Sequence, residues 1–290
     1  MCWLFGISRQ AYYKHFAHRE HKQKEDSMVI QFVQQIRKIH PRLGGRKLHY
    51  LLQQPTQEHG FKLGRDALFD LLENNGLLIR RRRRKTITTW SRHPFRKYPN
   101  LIRNLNLTAP DQLWVSDITY LKTQQGFVYL SLITDAYSRK IVGYDAAANL
   151  ESVNALKALK MALQQTGSSA QGLIHHSDRG IQYCTHEYIA LLESKAIRIS
   201  MTEKGDPLEN PIAERVNGIL KEEYLRRPIK DLIHATALLK NAVDTYNRRR
   251  PHLSCSLLTP EQVHLEKPTI NRLWKSYYRK KSNLVNQLQD

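Results

Sequence analysis

Apolar residues recur every three or four positions through much of the first third of the chain. Beyond residue 111 they alternate or form short runs. Val29, Phe32, Val33 and Ile36 keep helical spacing, the segment HPRLGG breaks it, and RKLHYLLQQ resumes it. A further helix starts near Leu63 in LGRDALFDLLENNGLL and ends at Gly76, after Asn74-Asn75. Ahead of these, Gly6-Ile7-Ser8 reads as a turn, with Ser8 capping a short helix through Tyr12 and Tyr13. From residue 111 the texture becomes that of strands. LWVSDITYLKT, FVYLSLITDAYS and KIVGYDAAA are three closely spaced segments rich in β-branched and aromatic residues, as in a meander. An amphipathic helix, SVNALKALKMALQQT, follows, then strand GLIHHSD, helix HEYIALLESKA, strand IRISMT and a helix from Asn210. IKDLIHATALLKNAVDTYNRR adds a last long helix, PHLSCSLLTPEQV reads as loop and turn, and NRLWKSYYRKKSNLVNQLQD is a basic, aromatic tail.

The order β-β-β-α-β-α-β-α describes a mixed sheet flanked by helices, an α/β class compatible with a ribonuclease-H-like core. A small all-helical region of helix-turn-helix type precedes it. The expected division is 1–79 helical, 80–110 basic linker, 111–264 catalytic-type core and 265–290 tail. At 290 residues the chain can hold one good core and a smaller domain. No apolar run approaches the roughly 20 residues of a membrane span, so no membrane partner is expected. The N-terminus lacks the cleavage site of a secretory signal. Cys2, Cys184 and Cys255 are widely spaced and odd in number, which reads as reduced thiols in a cytoplasmic protein. No Cys/His spacing supports zinc and no glycine-rich loop supports a nucleotide; Cys184 reads as a small buried apolar group.

Charge changes the picture. The formal net charge is +20, and residues 1–100 carry 21 basic against 7 acidic side chains, so +14 sits in a third of the chain. A solubilising surface normally mixes signs; segregation of this kind points to the phosphate backbone of a nucleic acid as partner. Arg9, Gln10 and Lys14 on the first helix are positioned to touch DNA if it is half of a helix-turn-helix; an ordinary capped helix reads equally well. The helices around residues 45–75 form a second such candidate, with Lys62 and Arg65 near the groove or backbone. Arg80, Arg81, Arg82, Arg83, Arg84 and Lys85 repel one another and will not pack without a polyanion. Residues 80–110 therefore read as a linker lying along phosphates, with Trp90, Phe95 and Tyr98 as stacking groups, against a localisation tract as the plainer alternative.

The chemistry lies in three acids. Asp117 falls inside the apolar run LWVSDITYL, on the strand face of Val115 and Thr119, and a buried carboxylate needs a cation or hydrogen bonds. Asp178 ends its strand before Arg179-Gly180, where open α/β sheets carry functional groups, although a plain turn Asp looks the same. In the helix from Asn210, with Asn210 as N-cap and Pro211 first, Ile212, Val216, Ile219 and Leu220 gather on one side. Glu214, Gly218 and Lys221 gather opposite, which is also what a solvated face looks like; Glu223 falls on the apolar side and fits less well. Three carboxylates suit Mg²⁺ or Mn²⁺, hard cations that take oxygen ligands. Two such ions, about 3.5–4 Å apart, can serve an in-line phosphoryl displacement. His175 and His176 are placed to position water or DNA, and Asp135 and Glu209 to act as spare ligands. Structural and turn roles are the plainer readings of all four.

WVSDITYL, DAYSRKIVGY, HSDRGIQY, NPIAERVNGILKEEY and YNRRRPHLSCSLLTP together resemble the B-frame transposases of IS-three-type bacterial insertion sequences, relatives of retroviral integrases. The likeness extends upstream through ISRQAYY and LGRDALFDLLENNGLLIRRRRR. The 35 residues between Asp178 and Glu214, with Lys221 seven residues beyond, are similar to that family's acidic-triad-plus-basic signature. The lead-in LENPIAERVN departs from the acidic-Asn-Ala approach of many relatives. The resemblance implies Asp117, Asp178 and Glu214 as catalytic metal ligands and Lys221 as a DNA contact. It implies DNA strand cleavage and transfer, action on element ends and target DNA, a homo-oligomer on DNA and an upstream-frame partner protein. A nuclease of the ribonuclease-H type that hydrolyses without joining, or a non-catalytic DNA-binding regulator, are the rival readings.

Overall fold

The computed structural model describes residues 6, 8–79, 95–103, 105–166, 170, 172–203 and 209–270. The basic run Arg80–Lys85, Trp90 and the tail from residue 271 lie outside the described residues. Helix α1, Arg9–Ile39, begins at Ser8, whose side chain accepts a hydrogen bond from the Ala11 N–H at 3.1 Å. The expected cap is present, but the helix is one 31-residue element rather than a short one followed by another. Between Tyr13 and Val29 the chain has no Gly or Pro and is rich in long-chain residues that favour helix, so nothing interrupts it. Helices α2 (Gly45–Glu58) and α3 (Arg65–Asn74) pack on its C-terminal half. Val29, Val33, Leu48, Leu52, Leu68 and Leu72 form a separate small core there.

The larger unit is built on a five-stranded sheet in the order β3-β2-β1-β4-β5. Strands β1 (Leu113–Thr123), β2 (Gly126–Asp135) and β3 (Ile141–Ala147) form the expected antiparallel meander. Strands β4 (Ile174–Ser177) and β5 (Arg198–Met201) add parallel to β1. This mixed sheet, flanked by helices on both faces, is the ribonuclease-H-like arrangement expected. One face is covered by α4 (Ser152–Thr166), the short turn α5 (Ile181–Cys184) and α6 (His186–Ser194), around Trp114, Ile133, Tyr188 and Leu192. Close approach of α4 to β3 requires Gly143, since a Cβ there would stand 2.1 Å from the Ala158 carbonyl oxygen. Cys184 is buried in this layer against Met201, as expected.

The other face carries α7 (Pro211–Ile219) and α8 (Leu232–Arg248), which bury Val216, Ile219, Leu239, Val243 and Tyr246 against Leu121, Leu130 and Leu132. Helix α8 begins at Asp231, which accepts from the His234 N–H at 2.8 Å. The stretch expected as loop and turn contains α9 (Pro260–Glu266), fixed by a capping box between Thr259 and Gln262. A π-helical turn, Leu220–Tyr224, follows α7 directly and rotates the residues after Ile219 out of the phase assumed for a regular helix. That rotation explains Glu223. Its carboxylate takes two hydrogen bonds, at 2.8 and 2.7 Å, from the fully buried Arg250 guanidinium. Next to it, Tyr224 hydroxyl and His40 Nδ1 lie 3.0 Å apart, joining the end of α1 to the π-turn. Burial and the Arg250 charge hold His40 well below its ordinary value, at about 4.

Candidate active site

Strands β1 and β4 pair with Leu113 opposite Ile174 and Val115 opposite His176. Carrying that register on by two residues brings Asp178 level with Asp117, where the strands part. Asp117 heads for the α7 side, where it meets Asn217, and Asp178 follows the last residue of β4, near enough for its charge to raise the Asp117 carboxyl. Asp178 is half-buried, and its Oδ1 accepts the Gly180 N–H at 3.0 Å, which fixes the turn after the strand. Asp117 points as its alternation with Val115 and Thr119 predicts.

Helix α7 supplies the third acid. Pro211 takes its first position, as expected. Asn210 holds the N-cap position, as expected, but its side chain makes no capping bond: its amide reaches back to donate to the Ser116 carbonyl at 2.8 Å, tying the helix start to the residue before Asp117. Glu214 lies in the first turn. Three residues on, on the same helical flank, Asn217 donates from Nδ2 to Asp117 Oδ2 at 2.6 Å. Sequence reasoning misses Asn217, although AERVN carries its signal as the i+3 neighbour of the acidic residue.

Burial pushes the Asp117 carboxyl up to about 7, helped by the charges of Asp178 and Glu214 and opposed by the Asn217 hydrogen bond. The three carboxylates therefore act within one electrostatic neighbourhood. They are not gathered tightly: the one described group of three ligand-type side chains with donor atoms within 4.8 Å of one another is Asp111, Asp135 and His264. That group is a hydrogen-bonded clasp. Asp135 accepts from the Asp111 N–H at 2.7 Å and from Ser138 N–H and Oγ at 2.7 and 2.6 Å. Trp114 Nε1 donates to Asp111 at 3.0 Å, and His264 Nδ1 sits 3.1 Å from Ser138 Oγ. Asp135 thus has the turn role and its oxygens are already used. Glu209 likewise accepts from the Glu203 N–H at 2.7 Å.

The histidines brace the site from behind. His175 Nε2 meets Ser116 Oγ at 2.7 Å and Tyr188 hydroxyl at 3.0 Å, in a buried cluster where desolvation lowers its pKa to about 3. His176 joins Ser200 Oγ, 2.8 Å from Nδ1, to the Glu209 carbonyl, 3.1 Å from Nε2, and burial lowers it to about 4. Both are neutral spacers, in line with the structural reading. Lys221, in the π-turn, donates to Thr119 Oγ1 at 3.2 Å and stands 4.8 Å over the Tyr120 ring. Burial lowers its pKa, with Glu222 and Asp117 raising it.

The outlying predicted contacts divide. Arg65 opens α3 on the surface and pairs with Asp66 at 2.8 Å. Phe95 is exposed, but Tyr98 packs against the core beneath Arg96 and is not a free stacking group. The triad's donor set fits a hard divalent cation: three carboxylates beside a buried Asn217 Oδ1 that has no hydrogen-bond partner among the described residues.

Two family models described as integrase core domain match residues 108–207 and 195–260. The 31 kDa protein of insertion element IS600 from Shigella sonnei is 34% identical over 90% of this chain and 96% of its own length. The transposase InsF for insertion sequence IS3A from Escherichia coli is 30% identical, over 73% of this chain and 74% of its own. Among solved structures, the HTLV-2 integrase catalytic core is similar at 21% identity and a TM-score of 0.44, across 54% of this chain and 97% of that one. No helix among the described residues is long and apolar enough to cross a membrane. On this identity and extent, the chain belongs to the integrase-core transposases of IS3-type insertion sequences.

Proposed function

We propose that this chain moves an insertion sequence by metal-dependent DNA strand cleavage and strand transfer, with Asp117, Asp178 and Glu214 as the ligands of Mg²⁺ or Mn²⁺. The observation that supports this most directly is the Asn217–Asp117 hydrogen bond, which ties the Glu214 helix to the Asp117 strand. The upward pull of Asp178 and Glu214 on Asp117 supports it as well. In the reaction, water attacks a phosphodiester, the bond from phosphorus to the 3′ oxygen breaks, and a free 3′-hydroxyl is left. That hydroxyl attacks a second phosphodiester and displaces its 3′ oxygen, joining the strands. Bound divalent cations would neutralise charge on the phosphate and favour ionisation of the attacking oxygen.

The chain's own residues do the rest. Asn217 holds the Asp117 carboxylate in one orientation, Gly180 holds Asp178, and Lys221 offers an ammonium to a neighbouring phosphate. Double-stranded DNA is the partner, drawn by the +20 net charge. Action as a homo-oligomer on DNA, with an upstream-frame protein, belongs to the same reading. The test is nicking of element-end DNA in Mg²⁺ or Mn²⁺ by the wild type and by Glu214→Gln. The expected result is that both bind and only the wild type nicks; nicking by the variant would remove Glu214 from the site.

A further inference from the structure

Beyond Asp117, β1 outruns its parallel neighbour, since β4 pairs with it only at Leu113–Val115. The β1–β2 hairpin continues to Thr123 and Gly126. On the face opposite Asp117 it carries Tyr120 and Phe127, diagonal neighbours across the two strands, because Tyr120 is level with Tyr129 and Lys122 with Phe127. Their rings meet edge to face, with centroids 5.4 Å apart and planes at 89°, and they are 43% and 51% exposed. In such a pair the edge of one ring covers part of one face of the other, and at this exposure the remaining ring surface is open to solvent. Lys221 bends over the β1 edge to join the two sides: Nζ bonds Thr119 on the carboxylate face and sits over Tyr120 on the other. Lys122 is exposed beside Phe127. Tyr120 is three residues along the strand from Asp117, about 10 Å at the usual rise.

We propose that Tyr120 and Phe127, with Lys221 and Lys122, form a platform that stacks one unpaired DNA base next to the cleaved phosphate. This rests on the reading of the chain as a DNA-cleaving transposase. Charge and geometry select this occupant: one ammonium stands over Tyr120, a second lysine is paired across the strands with Phe127, and Asp117, proposed for phosphoryl transfer, stands on the same strand as Tyr120. A paired base inside a duplex cannot reach such a surface, because both its faces are already stacked, so the platform selects a nucleotide that has left the helix. The protein therefore opens the DNA beside the cut and holds the displaced base.

The test uses the full chain and two probes. The first is a short oligo(dT) strand with a single 2-aminopurine, bound in EDTA so that no chemistry occurs. Tyr120→Ala and Phe127→Ala should each weaken binding on the order of tenfold and relieve the quenching of 2-aminopurine by stacking, while Tyr120→Phe keeps both. The second is an element-end duplex, fully paired or with its terminal nucleotides unpaired, in Mg²⁺. The double variant should nick the paired duplex far more slowly than the wild type and recover on the opened one. Circular dichroism and size-exclusion chromatography accompany both. Wild-type quenching and nicking by the alanine variants would overturn the platform, as would a change of oligomeric state with DNA contacts intact, which would make the pair a protein interface. If the wild type nicks neither duplex while the quenching difference holds, the platform stands and the proposed reaction falls.

Discussion

Replacing Asp117 by Asn should make the metal-free protein more stable near neutral pH while abolishing activity. The carboxyl is raised from 3.8 to about 7, by burial first and then by Asp178. A rise of about three pH units, at about 1.36 kcal/mol each, sets an upper bound of about 4 kcal/mol on the cost of keeping that group ionised in the fold. The sign follows from proton counting. Between about pH 4 and 7 the folded chain holds this proton and the unfolded chain has lost it, so stability falls as pH rises through the window. Above pH 7 the whole penalty is present; below pH 4 it is gone. The amide of the Asp117→Asn variant carries no charge, has nearly the same shape and can still accept from Asn217 Nδ2.

The assay is urea unfolding of both proteins in EDTA across that window. The comparison is made at each pH, so that shifts common to both cancel. These include Asp135, raised by burial, and His40, His175 and His176, lowered by it. The variant's advantage should grow from near zero at about pH 4 to a few kcal/mol at about pH 8. Adding Mg²⁺ should stabilise the wild type and leave the variant unchanged, because only the former keeps the ligand set. A gap independent of pH would refute the assignment of Asp117 as a charge held under strain among other carboxylates.

Four further outcomes follow from named contacts. Asn217→Ala should lower activity or Mg²⁺ affinity about 10–100-fold, the usual cost of removing the partner that orients a ligand, read as a metal titration of nicking. Arg250→Met should destabilise the fold by about 3–5 kcal/mol in denaturant melts by leaving Glu223 buried and unpaired, and replacing both partners with apolar residues should recover most of it. Lys221→Ala should reduce the slope of log affinity against log salt by about one, as loss of one phosphate contact does. Gly143→Ala should fail to express as folded protein or melt far lower, since its methyl would meet the α4 backbone.

Most of the sheet was legible because short apolar runs rich in β-branched and aromatic residues, such as LWVSDITYL, favour strands, and a β-β-β-α-β-α-β-α order allows few topologies. Asp117 could be placed on its strand face from alternation alone. The length of α1 was not read because its first half is exposed and has no apolar stripe to count; only the absence of a breaker predicts it. Asn210 illustrates the limit of local rules. Its position and its Pro neighbour signal a cap, yet a buried carbonyl on another strand won its amide, since Ser116 lies 94 residues away in sequence and 2.8 Å away in space.

The same limit governed Glu223 and Arg250, and here the consequence reaches the site. A uniform 100° rotation places Glu223 on the apolar side, where a carboxylate is out of place. The π-helical turn changes that rotation, and Arg250, from the far end of α8, satisfies the charge. No window of sequence contains both partners. The turn that this pair holds also carries Lys221, follows directly on the Glu214 helix and meets His40 at the end of α1 through Tyr224. The His40–Tyr224 contact therefore links the end of α1 to the turn that follows the helix bearing the third acid. The Glu223–Arg250 pair is costly to desolvate and adds little net stability over apolar residues; what it fixes is the turn that carries Lys221 beside Thr119, directly after the helix whose Asn217 holds Asp117.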